Sequence, residues 1–295
     1  MSPPVKQKVT HTLFIDDAKL YEKNKKKLKI ELDDLEQKMS DAGLLWNAKK
    51  CKVIHLRKGV LSTEDGDITL RSGKVINCLE NAEHYKFLGV PEAEQHDIAS
   101  LLKTMTKKIK QRTHVVWTSP LYDMNKVEAT NTFVNSILNY FMWSEKMNLN
   151  DLRQIDREIR KKLTLCGAKH PLQLNELLYV ARHNGGRGLR SIERTYKETK
   201  IKSAIKLSMN KDPRMKLVKE FHKDCRTKQR SSIFTDAVKY GEELGITVNF
   251  QDTSVELKTN EEEVECSESK ELEKVKVLLK KQRYEKLRKA VDEST

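Results

Sequence analysis

The spacing of hydrophobic residues changes near residue 93. Before that point, short strand-like runs separated by turn residues are found at 11–21 (HTLFIDDAKLY), 51–57 (CKVIHLR), 67–79 (DITLRSGKVINCL) and 84–90 (HYKFLGV). A helical stripe stands between the first two runs and consists of Leu28, Leu32, Leu35 and Met39, with Asn24 as a cap and Gly43 as a stop. The sequence therefore predicts an α+β domain over residues 1–92.

From residue 93 onward the hydrophobic residues follow a helical period. The stripes are Ile98, Leu101, Leu102, Met105 and Ile109; Val127, Val134, Ile137, Leu138 and Phe141; and Leu152, Ile155, Ile159 and Leu163. We expect a helical domain over 93–210 whose core includes these stripes, together with Tyr140 and Trp143. Asp123 is a candidate cap for the second helix, and residues 191–209 are expected to form a fourth helix.

The remaining residues, 211–295, are expected to form a helical tail. Residues 251–271 hold eight acidic and two basic residues with few apolar ones, which is typical of a flexible linker. The segment VKVLLKKQRYEKLRKAV that follows has the pattern of a basic amphipathic helix. The tail is therefore predicted to be loosely packed.

The net charge of the chain indicates a class of binding partner. The chain has 57 Lys plus Arg against 43 Asp plus Glu, a formal net charge of +14, and 34% of its residues are charged. Such a surface favours a polyanion, and RNA or DNA is the first candidate. Basic clusters lie at 103–112, 157–162 and 182–194. The alternative is that these side chains only solvate helices or pair with the acidic segment.

The cysteines and the N-terminal residues indicate where in the cell the protein is expected. Five cysteines are widely spaced without a Cys-x-x-Cys pair, so the sequence indicates neither a zinc site nor a disulfide framework. The first residues lack the apolar core of a signal peptide, and no run approaches the ~20 apolar residues of a membrane span. We expect an intracellular protein, nuclear or cytoplasmic, that is not secreted and has no membrane partner.

Two adjacent carboxylates, Asp16 and Asp17, interrupt the first strand-like run. On a tight turn they repel each other unless a cation or solvent meets them. An ordinary hairpin turn is one interpretation, because Asp is a favoured turn residue. A metal-binding turn is the other.

Several motifs occur in an order that favours the second interpretation. They are Phe14-Ile15-Asp16-Asp17, then AGLLWNAKKCKVI around Gly43 to Cys51, then a hairpin, then Tyr85-Lys86-Phe87-Leu88-Gly89. This order resembles the palm of LINE-type non-LTR retrotransposon reverse transcriptases. The resemblance continues to about residue 200, through Asn131, Tyr140, Trp143, Asp156, Arg160, Lys161, His170, Pro171, Tyr179, Arg182 and Gly185 to Leu189.

The resemblance implies a role for each motif. Residues 1–92 would be a partial palm in which Asp16 and Asp17 hold Mg2+ for two-metal nucleotidyl transfer, Asp16 being the more direct ligand. Lys50 would stabilise the leaving pyrophosphate, although a solvated lysine is the alternative. Tyr85, Lys86, Phe87, Leu88 and Gly89 would form the primer grip, or simply a buried strand and turn.

The domain over 93–210 would be a thumb-like nucleic-acid-binding domain. Its segment HNGGRGL, with Arg182, Gly185, Gly186 and Arg187, could hold a phosphate through backbone N–H groups and guanidinium charge. The alternative is a tight turn, which is the commoner meaning of clustered glycines. His170 and Pro171 are expected at a helix-to-loop junction.

The family's third catalytic carboxylate and its fingers precede the Asp-Asp turn, and the sequence has only ten residues before His11. Two functions are therefore expected. The first is a truncated RNA-directed DNA polymerase that is inactive alone. The second is a non-catalytic nucleic-acid-binding protein made of the thumb helices. A degenerate element without present function is a third possibility.

Overall fold

The computed structural model describes residues 9–15, 17–58, 60–80, 85–92, 98–251, 254–267 and 271–293. These residues fall into two compact units, Met1–Asp97 and Ile98–Thr295. The first combines one long helix with short strands, and the second is mainly helical with one small sheet. The α+β class predicted from the sequence is confirmed.

The first unit holds one long helix and nine short strands within its described residues. They are β1 (His11–Phe14), β2 (Asp17–Leu20), α1 (Lys25–Asp41), β3 (Lys52–Val53), β4 (Leu56–Arg57), β5 (Val60–Leu61), β6 (Ile68–Thr69), β7 (Val75–Cys78), β8 (Tyr85–Phe87) and β9 (Val90–Glu92). Strands β1–β2, β4–β5 and β8–β9 are antiparallel hairpins. Strand β7 pairs antiparallel with β6 and parallel with β3.

Helix α1 begins and ends where its sequence predicts. The Asn24 side chain accepts a hydrogen bond from the Lys27 backbone N–H, and Gly43, just beyond the helix, has a φ of +73°. Buried side chains of α1 and the β3–β7–β6 sheet form the core of this unit: Leu32, Val53, Ile68, Leu70 and Ile76. The apolar stripe of α1 therefore covers this sheet.

Two carboxylates of α1 hold the turn between β6 and β7. Asp33 is buried and accepts a hydrogen bond from the Arg71 N–H at 2.8 Å. Glu36 accepts from the Ser72 hydroxyl at 2.7 Å and pairs with Lys74 at 2.9 Å. Hydrogen bonds from Lys74 and Ser72 lower the pKa of Glu36. The turn is thus fixed to the helix by polar contacts as well as by the core.

The second unit contains nine helices and three strands among its described residues. They are α2 (Ile98–Thr118), α3 (Asp123–Ala129), α4 (Ser136–Ser144), α5 (Leu149–Leu165), α6 (Glu176–Tyr179), α7 (Ile192–Met209), α8 (Pro213–Thr227), α9 (Ile233–Leu244), β10 (Thr247–Phe250), β11 (Val255–Lys258), β12 (Glu263–Cys266) and α10 (Leu272–Asp292). A π-turn, Thr130–Val134, joins α3 to α4. Tyr122 occupies the cap position of α3, and Asp123 is its first helical residue.

Helix α7 lies at the centre of this unit and is buried on almost every side. It packs against α4, α5, α8, α9 and α10. Charged residues are therefore enclosed with it: Glu198 accepts from Arg194 at 3.2 Å and from Arg283 of α10 at 3.0 Å. Burial lowers the pKa of Arg194 to about 10. The interior of this unit is held together by ion pairs as well as by apolar contacts.

The predicted acidic linker over 251–271 is wrong. Strands β10, β11 and β12 form an antiparallel sheet in the order of the chain, and both β11 and β12 lie within that segment. Val255, Leu257 and Cys266 are fully buried on one face, while glutamates occupy the other. Alternation of apolar and acidic residues gives a half-buried strand even when the average composition is acidic. Residues 211–293 consequently belong to the packed second unit, and the predicted loosely packed tail is wrong.

Candidate nucleic-acid interface

The tip of the β1–β2 hairpin carries the aspartates singled out in the sequence. Phe14 pairs with Asp17 across the hairpin, and Ile15 follows Phe14 at the tip. Ile15 is 91% exposed and has a φ of +56°, a rare conformation for a β-branched residue. Asp17 is exposed, and Asp16 lies outside the described residues. The hairpin therefore presents its tip to solvent.

A two-metal centre needs several oxygen ligands held close together. In the part of the chain that the structure describes, no three His, Cys, Asp or Glu side chains are arranged to hold a metal ion. Asp17 by itself supplies too few ligands for Mg2+. The Mg2+ site at Asp16 and Asp17 thus stays a prediction that depends on the resemblance.

Lys50 lies in a 3-10 turn, Ala48–Lys50, and its side chain is exposed. The Trp46 indole N–H donates to the Cys51 Sγ at 2.8 Å, which closes this loop behind the lysine. Neither Lys50 nor Asp17 makes a side-chain hydrogen bond or ion pair within the described residues. Both charges are therefore available to a partner.

The predicted primer grip is a second hairpin. Tyr85, Lys86 and Phe87 form β8, and the turn Leu88-Gly89 has φ values of +47° and +84° before β9 begins. The Lys19 ammonium of β2 lies 5.2 Å from the centroid of the Phe87 ring and 5.8 Å from that of Tyr21. This cation–π contact brings the hairpin of the aspartates next to the primer-grip hairpin.

The glycine segment 185–189 folds back on the residues that precede it. The N–H of Gly186 donates to Ala181, that of Arg187 to Leu177, that of Gly188 to Val180 and that of Leu189 to Leu178, all at 2.8 to 3.1 Å. These N–H groups are therefore already used by backbone carbonyls. A phosphate at this segment would have to bind side chains, because the backbone N–H groups are not free to hold it. The backbone of the segment therefore fits the tight-turn interpretation.

The two arginines of this segment differ in their surroundings. Arg187 pairs with Asp123 at the start of α3. Arg182 lies in a 3-10 turn, Arg182–Asn184, and its Cγ would lie 3.5 Å from a Cβ placed on Gly188. Within the described residues Arg182 has the freer guanidinium for an anionic partner, whereas Arg187 chiefly fixes the segment to α3.

Two asparagines hold the next residues from the other side. The Asn131 amide donates to the Gly188 carbonyl at 2.9 Å and accepts from the Arg190 N–H at 2.8 Å, and the Asn135 amide donates to the Arg190 carbonyl at 2.8 Å. Both asparagines belong to or border the π-turn, which brings them to one face. Their side-chain amides hydrogen-bond to the backbone of residues 188 and 190, as the backbone of a neighbouring strand would. Asn131 thus has a structural role.

Asp156 and Arg160 of α5 bind residues on either side of the glycine segment. The buried Asp156 carboxylate accepts from the Ser191 hydroxyl at 2.7 Å and from the Ile192 and Glu193 N–H groups at 2.9 and 3.2 Å. It therefore caps the N-terminus of α7. Arg160 donates to the Tyr179 hydroxyl at 2.7 Å. Burial raises the pKa of Asp156, and it raises the pKa of Tyr179 to about 12.

Positive charge is concentrated in one stretch of the second unit. Residues 98–232 have 29 Lys plus Arg against 12 Asp plus Glu, whereas residues 233–295 have 11 against 15. On α2, Lys103, Lys107 and Lys108 are exposed and form no ion pair with any described residue. Lys103 and Lys107 border a groove of about 470 Å3 between α2 and α5. Asp151 lines the same groove, but these three lysines face solvent without an ion pair to any described residue.

Tyr140 and Trp143 do not lie in the core, and that prediction is wrong. Tyr140 is 52% exposed and Trp143 is 42% exposed, and Phe133 on the same stretch is 61% exposed. Helical spacing places large residues on one face of α4, but the sequence does not say whether another element covers that face. No local signal in the sequence marks these residues as a surface.

No helix among the described residues is both long and apolar enough to cross a membrane. No family model matches this sequence, and no curated protein is significantly similar to it.

Proposed function

We propose that this chain is a nucleic-acid-binding protein related to LINE-type reverse transcriptases, and that it binds RNA and DNA through its helical unit without polymerising alone. The observation that carries the proposal is the charge of residues 98–232, above all the exposed lysines of α2. Lysines that are not neutralised inside the fold can neutralise phosphates and release counterions. This charge supports binding, and it does not by itself support catalysis.

Two features support the proposed relationship. The hairpin that carries Asp17 contacts the hairpin of Tyr85 to Gly89 through Lys19, as a catalytic turn and a primer grip would require. Two residues that carry the resemblance in the helical region, Asn131 and Asp156, also bind the same segment of the chain, residues 188–193. A set of residues that supports one segment together is a reasonable signature of a common fold.

The binding proposal is tested with the full chain and a short DNA duplex in a filter-binding titration at several salt concentrations. We expect log K to fall linearly with log salt, by about 0.9 per phosphate contacted. Replacement of Lys103, Lys107 and Lys108 by glutamine should reduce that slope by about 1 for each phosphate that the variant no longer neutralises.

A matched triple variant separates a local contribution from overall charge. Lys258, Lys274 and Lys281 lie in the C-terminal part of the unit and pair with Glu263, Glu271 and Glu262. Their replacement by glutamine removes the same charge and should leave the slope nearly unchanged. An equal loss in both triple variants would show that net charge alone is responsible, and no retention of the duplex at low salt would overturn the proposal.

The chain alone is expected not to extend a primer on an RNA template with Mg2+ or Mn2+. Two-metal transfer requires several carboxylates held close together and a closed geometry around the incoming nucleotide, and no three His, Cys, Asp or Glu side chains of the described residues are arranged to hold a metal ion. The measurement is primer extension on a gel. Synthesis above background that is lost in Asp16→Asn and Asp17→Asn would contradict this expectation and restore the polymerase interpretation.

A further inference from the structure

The stretch from Thr130 to Ser144 is unusual in this chain. Its sequence, TNTFVNSILNYFMWS, contains no charged residue, although a third of all residues are charged. An uncharged helix is normally buried, yet Phe133, Tyr140 and Trp143 expose between two fifths and three fifths of their surface. The residues between them, Val134, Leu138, Phe141 and Met142, are buried, so the three exposed rings lie on the outer side of the π-turn and α4.

Cations from neighbouring helices border this aromatic face. Arg112 of α2 donates to the Phe133 carbonyl at 2.8 Å. The ammonium of Lys206, an exposed residue of α7, lies 4.7 Å from the centroid of the Trp143 ring. The carboxylate nearest in sequence, Glu145, is buried. The face therefore combines flat apolar rings with positive charge at both ends.

We propose that this face binds single-stranded nucleic acid, with bases stacked on Phe133, Tyr140 and Trp143. The inference rests on the proposed function and names where a single strand would lie. Every base offers a flat π-face to an aromatic ring, and arginine or lysine beside the ring meets the phosphates, so the face suits a single strand of any sequence. The bases of a duplex are already stacked on each other and cannot use it.

The dimensions fit a short strand. Ten residues separate Phe133 from Trp143, which corresponds to about 15 Å along a helix. A nucleic-acid strand advances about 3.4 Å per nucleotide when stacked, so the face would contact on the order of four nucleotides. Arg112 and Lys206 lie near the two ends of that length, where they would meet the backbone on either side of the stacked bases.

The test uses the full chain and two probes, a fluorescein-labelled oligo(dT) single strand and a DNA hairpin duplex, in fluorescence anisotropy. We expect Phe133→Ala, Tyr140→Ala and Trp143→Ala each to weaken single-strand binding about tenfold. Tyr140→Phe and Trp143→Phe keep an aromatic ring and should bind nearly as the unmodified chain does. Duplex binding should be unchanged in all of them.

A matched control is available on α8. Phe221 is 63% exposed, close to the value for Phe133, but lies on a different helix. Phe221→Ala should leave single-strand binding unchanged. Stacking should also quench the fluorescence of Trp143 when oligo(dT) is added, and the quenching should disappear in Trp143→Phe. Circular dichroism confirms that each variant is folded.

The outcomes separate this inference from the proposed function. If the duplex is bound and the three alanine variants bind oligo(dT) like the unmodified chain, the aromatic face is not the site, and the proposed function stands. If neither probe is bound, both proposals fail. If the unmodified chain self-associates in sedimentation and Tyr140→Ala and Trp143→Ala become monomeric without losing oligo(dT), the face is a protein interface and the inference is wrong.

Discussion

Replacing Gly186 with alanine should lower the free energy of unfolding of the helical unit by about 3 kcal/mol or more. A Cβ at this position would lie 2.1 Å from the carbonyl oxygen of Val180 and 2.5 Å from its Cβ. Val180 is buried, and the same carbonyl accepts the Gly188 N–H at 2.8 Å. Backbone would therefore have to move, and that hydrogen bond would break with it.

The neighbouring glycine is the matched control. Gly185 has a φ of +83°, but nothing lies within 4 Å of a Cβ built on it. Gly185→Ala should therefore cost only the strain of a left-handed backbone, about 1 kcal/mol. Urea unfolding followed by circular dichroism compares the two variants. Similar losses at both positions would mean that the segment relaxes freely and that the close approach to Val180 is unimportant.

Asp156→Ala should be the second strongly destabilising change, with a loss of about 3 kcal/mol. Asp156 is only 5% exposed and is the acceptor for Ser191, Ile192 and Glu193 at the N-terminus of α7. Without it, the buried Ile192 N–H and the partly buried Ser191 hydroxyl and Glu193 N–H would lose their acceptor at the start of α7. Asp151→Ala, an exposed change at the start of the same helix as Asp156, should cost well under about 1 kcal/mol in the same urea titration.

The pH dependence of stability gives this prediction a second readout. Burial raises the pKa of Asp156 above its ordinary value of 3.8, against the hydrogen bonds that favour the carboxylate. Because the folded state holds this proton more tightly than the unfolded chain, the contribution of Asp156 is largest below pH 3.8 and falls as the pH rises through the folded pKa. The free energy of unfolding of the unmodified chain should therefore fall relative to that of Asp156→Asn, which does not titrate, from acid toward neutral pH. A rise relative to Asp156→Asn over that range would contradict the direction of the shift.

Local signals in the sequence predicted local structure well. Helix α1 has the Asn24 cap and the glycine stop that its sequence indicates, and Asp17 lies in a β-hairpin, as the strand-like pattern around it predicts. Each of these features is decided by residues within a few positions of one another. The sequence does not predict strands β11 and β12, because the acidic average composition of the segment outweighs a period-two pattern that only a few apolar residues mark.

Long-range features could not be predicted from the sequence in the same way. The bonds of Asn131 to residues 188 and 190 join positions nearly sixty residues apart. The exposure of Tyr140 and Trp143 depends on which helices lie beside α4, and no local pattern records that. The glycine segment shows the same limit, since its N–H groups are used by a preceding stretch that only the folded chain brings near.

The pairing of Glu198 with Arg283 has a consequence for how the protein is made. These residues are 85 positions apart, and Arg283 lies in helix α10. During synthesis α7 leaves the ribosome well before α10. The charged and apolar side chains of α7 that α10 covers in the folded protein are therefore exposed until α10 has been synthesised. A translating ribosome that stops after residue 250 would release a chain whose central helix lacks the cover of α10 and the Arg283 partner of Glu198. Such a product is expected to be a substrate for chaperones and proteases, and the arrival of α10 thus ends the vulnerable period of folding.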